Sequence, residues 1–148
     1  MIKSDDCIAQ FQNEHYEILK STFYSPRMRS NQERFQLQYE YDYEIGTIEN
    51  FGENGFRGVI KFDTKAYPKE EGEDAIIVDV SMFGIFNGSG ENMQRENFEQ
   101  LLELNGLTFL TQIMRAHIIT VTSITGSNPL IMPMINVNKL IESKKRDN

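Results

Sequence analysis

The sequence has no tryptophan, one cysteine and two histidines in 148 residues. A lone Cys7 excludes an internal disulfide framework. His15 and His117 stand far apart with no Cys or His beside either, so neither a metal site nor a Cys/His dyad is suggested. No run approaches the ~20 apolar residues that would span a bilayer. The opening "MIKSDDCIAQFQNEH" lacks the apolar core of a signal peptide and carries acids that a transit peptide would avoid. These absences lead us to expect a cytoplasmic protein with no membrane insertion. Repeats, low-complexity tracts and linker-like shifts of composition are missing too. One domain is therefore expected over residues 1–148, with residues 1–14 and 144–148 as frayed tails.

Positive charge is in deficit. Fifteen Lys and Arg against 22 Asp and Glu leave a net charge of −7, whose field repels nucleic acid and favours basic or unfolded cationic partners. The one basic run, Lys144, Lys145 and Arg146, closes the chain and reads as a solubilising tail ahead of a phosphate-binding patch. Signs of enzyme chemistry are absent as well. "FNGSGEN" is glycine-rich but has neither the Lys-Ser/Thr ending of a phosphate loop nor the dinucleotide spacing. Carboxylate pairs such as Glu40 with Asp42 or Glu70 with Glu71 give no sign of the desolvated cleft that acid–base work needs. No catalytic residue, metal or cofactor is expected.

What the chain does have is period. "FQLQYEYDYEIGTIE" alternates: Phe35, Leu37, Tyr39, Tyr41, Tyr43 and Ile45 share one face, and Gln36, Gln38, Glu40, Asp42 and Glu44 the other. A strand over residues 16–25, ended by Pro26, precedes it, and another over residues 56–64 follows the turn "NFGENG". "AYPKEEGED" makes the next turn, and "AIIVDVSMFGIF" is apolar on both faces, as in a covered central strand. Short connections predict a four-stranded antiparallel meander. "NGSGEN" then reads as a loop, and "FEQLLELNG" as one short amphipathic helix. Apolar residues from Leu107 to Ile124 recur at three and four, predicting a long helix with Gly126 as its C-cap. β-Branched residues in "HIITVTSIT" lower helix propensity, yet strand alternation there leaves no clean polar side. A short terminal helix over residues 137–143, capped by Asn136, completes an α+β fold.

"MFGIFNGSG", the helix "LTFLTQIMRAHIITVTSITG" with Arg115 in its first half, and "PLIMPMINVNKLI" with its P-x-x-N from Pro133 to Asn136 resemble, in order and spacing, pieces of the SecB family of export chaperones. The likeness covers roughly residues 16–141. It implies a four-stranded antiparallel sheet with helices on one side, a homotetramer built as a dimer of dimers, and nucleotide-free holding of unfolded polypeptides in apolar grooves. Carried onto this chain, client-binding residues would be Leu37, Tyr39, Tyr41, Phe83, Phe86, Phe98, Leu101, Ile131, Met132 and Met134. The oligomer interface would draw on Leu110, Ile113, Met114, Ile118 and Val121, which read equally as core. In the family a flat acidic sheet surface recruits the export motor ATPase. Ile77 and Asp79 match that surface, whereas Lys20 and Tyr24 stand where the family has acids, and the chain ends in "KKRDN".

Physical chemistry bears on these assignments independently. Holding unrelated segments needs an apolar but adaptable surface, and seven Met with ten Phe and six Tyr supply one. Residues 129–135 are unusually apolar for a connection, so this loop either packs under something or lines a groove. The tyrosine row is either core beneath the long helix or a client surface. The acidic face of the same strand is either solvated or a partner surface. The expectation is thus an ATP-independent holdase. Its alternatives are a SecB-fold module dedicated to one partner, for example an antitoxin, and a hot-dog acyl-thioester hydrolase relying on His117.

Overall fold

The computed structural model describes residues 1, 3, 9–24, 36–124 and 129–148. Cys7, Ser25, Pro26, Phe35 and Gly126, which carried expectations above, lie outside them. Four strands, β1 (Phe11–Phe23), β2 (Leu37–Asn50), β3 (Gly55–Pro68) and β4 (Val78–Ser89), form one antiparallel sheet in the order β1-β4-β3-β2. The α+β class is as expected, and β2, β3 and β4 are a meander. β1, however, pairs with β4 and not with β2, which gives a Greek-key order. Burial explains the choice: β4 is apolar on both faces and takes a central place, leaving the more polar β1 and β2 at the edges.

Several elements run longer than their local signals suggest. β1 begins at Phe11, and α3 (Val137–Asp147) reaches almost to the chain end, so neither set of residues 11–14 and 144–147 is a tail. β3 continues through Ala66 to Pro68 because Tyr39 and Leu37 of β2 still pair with these residues, and proline is tolerated at a strand end. β4 likewise carries on through Gly88 opposite Phe11 and Phe56. Asn136 caps α3 as expected, its side-chain oxygen accepting the Lys139 N–H at 3.1 Å.

The two helices expected between residues 95 and 124 are one continuous rod. α1 (Arg95–Leu101) passes through a π-helical turn (Leu102–Gly106) into α2 (Leu107–Ile124). The wider turn absorbs the offset between the two apolar stripes and keeps Leu102 and Leu107 both inward. Gly58 of β3 lies directly below: a Cβ there would sit 2.7 Å from Leu102 Cδ2 and 3.0 Å from Phe98 Cε1. The helix survives "HIITVTSIT" because its hydroxyls turn back onto the backbone. Thr120 donates to the Ala116 carbonyl (2.8 Å), Thr122 to Ile118 (2.7 Å) and Ser123 to Ile119 (2.6 Å).

The core lies between the rod and one sheet face, where Ile60, Phe62, Val80 and Met82 meet Leu107, Leu110 and Ile118. On the opposite face the acids of β2 are answered by β3 in register: Glu40 by Lys65, Glu44 by Lys61 and Glu49 by Arg57. Asp42 faces Asp63, and each takes a cation, Lys144 and Lys61 respectively. This charge pattern explains the long strand with one aromatic and one acidic face: it is a half-buried edge strand whose outer side is solvated.

Candidate functional site: an apolar groove beside β2

Among the described residues β2 pairs only with β3, so its outer edge has no strand partner. Along that edge runs a groove of about 470 Å³. Leu37, Tyr39 and Tyr41 form its floor. Its wall is the connection at Pro133, Met134 and Ile135, continued by Lys139 and Leu140 of α3.

The connection is held by three anchors. Met132 is fully buried in the core. Arg115 of α2 donates through Nε to the Met132 carbonyl at 2.9 Å, and Thr122 Oγ1 accepts the Leu130 N–H at 2.9 Å. On either side of the pinned Met132, Ile131 is 62% and Met134 84% exposed. A backbone fixed this way presents large apolar side chains to solvent at little further ordering cost when a ligand covers them.

The tyrosines form a ladder from groove to core. Tyr39 stacks beside Tyr41 and Tyr41 beside Phe62, with centroids 6.3 and 6.1 Å apart. Burial pushes the Tyr41 phenol up to about 12, with Tyr39 adding to the shift and Arg115 opposing it. Burial raises Tyr39 as well. Tyr43 is raised by burial and then by its bond to Glu103, to which its hydroxyl donates at 3.0 Å. All three rings are neutral at physiological pH, apolar bodies with polar tips.

Of the residues expected from the sequence to bind clients, Leu37, Tyr39, Tyr41 and Met134 line this groove, and Ile131 stands exposed on the same connection. Leu101 lines a second cleft of about 880 Å³ with Gln10, Met93, Asn97, Gln100 and Leu104, where the crossover from β4 meets α1. Phe86, Phe98 and Met132 are corrected to core. Phe86 stacks on Phe11 at 5.2 Å, and Phe98 packs between Phe11 and Phe56. Phe83 points to the other sheet face, next to His15. Pro133, Ile135, Leu140, Lys69 and Lys139 were missed as individual residues. The apolar character of residues 129–135 was a signal for Pro133 and Ile135 alone.

The remaining expectations divide in the same way. Leu110, Met114 and Ile118 are fully buried against the sheet and cannot meet another subunit, while Ile113 and Val121 are half-buried. Ile77 is only 7% exposed and Asp79 is bonded to Lys20, so this pair does not form an acidic docking surface. His117 bonds to Ser21 Oγ at 2.7 Å and packs against Phe23, and burial lowers its pKa. Among the described residues no carboxylate bonds to its ring, no cluster of His, Cys, Asp or Glu could hold a metal, and no helix is long and apolar enough to cross a membrane.

The four-stranded sheet, the helical rod on one face and the separate C-terminal helix define the SecB-like fold. The particular likenesses are distant in sequence. The Mycobacterium tuberculosis Rv1957 SecB-like chaperone, solved with a ChAD peptide from the Rv1956 HigA1 antitoxin, superposes with a TM-score of 0.56 at 12% identity, covering 86% of this chain and 91% of that one. A Streptococcus agalactiae protein of unknown function gives 0.52 at 9% identity, covering 86% and 100%. MJ0357, an uncharacterized protein of Methanocaldococcus jannaschii, is 28% identical over 145 residues, 96% of this chain and 90% of that protein. No family model matches the sequence.

Proposed function

We propose that the protein is a nucleotide-independent, chaperone-like binding module that holds an extended, non-native stretch of polypeptide in the groove beside β2. The observation that carries this is Met134, exposed two residues from a buried Met132, lining one groove with Leu37, Tyr39 and Tyr41 of an edge strand. An extended segment laid there gains twice. Its backbone pairs with the free edge of β2, and its alternate side chains enter the apolar groove. Covering about 500 Å² of apolar surface is worth about 12 kcal/mol gross at ~25 cal/mol per Å². Lost freedom of the client cancels much of this, which keeps binding reversible.

The partner range is narrow in this reading. Lys20 neutralises Asp79 and Ile77 is buried, which speaks against docking of an export motor at that place. A single partner protein, of the antitoxin kind that Rv1957 was solved with, fits better than general export. Assembly as a homo-oligomer would use the edge at β1 and the outer side of α2, where Tyr16, Leu19 and Ile124 are exposed. The direct test is light scattering of a chemically unfolded, aggregation-prone client diluted with and without the protein, free of nucleotide. Suppression near one oligomer per client supports holding. No suppression by a folded sample excludes a general holdase, and failure to bind any apolar extended peptide excludes the groove itself.

A further inference from the structure

We propose that the groove beside β2 selects apolar segments flanked by carboxylates, and that Lys69 and Lys139 make this choice; the inference rests on the binding function proposed above. Among the described residues, both charged side chains that line the groove are lysines, in a chain of net charge −7. They come from separate elements. Lys69 follows β3, its backbone N–H bonded to the Gln36 carbonyl at 2.9 Å, which fixes it near the Leu37 end of the floor. Lys139 sits in the first turn of α3, a turn that contains no acidic residue.

Neither ammonium has an ion-pair partner among the described residues. Four cations elsewhere in the fold are paired, Lys20 with Asp79, Arg57 with Glu14, Lys61 with Asp63 and Lys144 with Asp42, whereas Lys65 and Lys145, without such a pair among the described residues, do not line the groove. Glu40 and Glu44 alternate to the opposite side from Tyr39 and Tyr41, and Asp42, which alternates with them, is already paired with Lys144 of α3. A cationic rim over an apolar floor has its complement in a ligand with apolar anchors and nearby carboxylates. The net charge of the protein would attract cationic chains by itself, so the local and the global fields make opposite predictions.

Three labelled 12-residue peptides with one shared Leu/Phe/Tyr centre and Asp/Glu, Ser/Asn or Lys flanks separate these predictions by fluorescence anisotropy. The acid-flanked peptide is expected to bind roughly tenfold tighter than the Lys-flanked one at low salt, with the ratio shrinking at high ionic strength. Combining Lys69→Ser with Lys139→Ser should bring the ratio toward one, and charge reversal by Lys69→Glu and Lys139→Glu should invert it. Equal or tighter binding of the Lys-flanked peptide, or a preference that survives Lys69→Ser with Lys139→Ser, overturns the inference. Tight binding of the Ser/Asn-flanked peptide without any charge preference overturns it while leaving the groove intact. Failure of all three peptides to bind overturns the binding function too.

Discussion

Replacing Met132 and Met134 separately should produce opposite phenotypes, although the two residues lie two positions apart. Met134 is 84% exposed and contributes almost nothing to the core, so Met134→Ala should change folding stability by less than about 0.5 kcal/mol. Covering its side chain with a client is worth about 1.5–3 kcal/mol, and truncation forfeits most of that. Client affinity should therefore fall roughly 5- to 30-fold, at 1.4 kcal/mol per factor of ten. Met132 is fully buried, and Met132→Ala should cost about 2–5 kcal/mol of stability through lost burial and the cavity left behind. For a chain of this size that is a fall in Tm of about 4–20 °C. Calorimetry gives the stabilities, and anisotropy with a labelled unfolded client gives the affinities. Equal destabilisation by both substitutions, or unchanged client affinity in Met134→Ala, would refute the assignment of these residues to wall and anchor.

Further outcomes follow from the same contacts. Gly58→Ala places a Cβ against Leu102 and Phe98 and should destabilise by about 1–3 kcal/mol, measured by denaturant unfolding. Arg115→Ala removes the bond to the Met132 carbonyl and should cost about 1–3 kcal/mol while weakening client binding, since the connection loses its clamp. Tyr41 is raised to about 12 from 10.0 by burial, so its contribution to stability is whole below pH 10 and is lost as pH climbs toward 12. Ultraviolet titration should show tyrosines ionising late in the folded protein and near pH 10 after unfolding; a single class at 10 would contradict the buried ladder.

Alternation located the floor of the groove and could locate no more. Leu37, Tyr39 and Tyr41 lie on the groove floor because period two fixes which side chains share a face. Period says nothing about which strands pair, and β1 joins β4 through contacts more than fifty residues apart in sequence, as between Ser21 and Val80. The order of the connection was equally hidden. Ile131, Met132 and Met134 have similar hydropathy, and only the bond from Arg115 and the space beneath α2 decide that Met132 points inward. Asn105 and Gly106 end the stretch "FEQLLELNG" expected as a separate short helix, and both are poor helix formers. Gly106 instead lies in the π turn, where an added Cβ would come within 3.3 Å of Ile60. Phe86 and Phe98 are client-binding residues only by carry-over from the family resemblance; Phe86 stacks on Phe11 and Phe98 packs against it, and these contacts with a strand expected to begin later place both in the core.

Amide hydrogen exchange with and without a bound unfolded client addresses the groove most directly. Strand addition beside β2 predicts added protection of amides in Leu37–Asn50 and of the connection around Met134, Ile135 and Asn136, with β1 unchanged. Protection confined to β1 and the outer side of α2, or none at β2, would contradict binding in this groove.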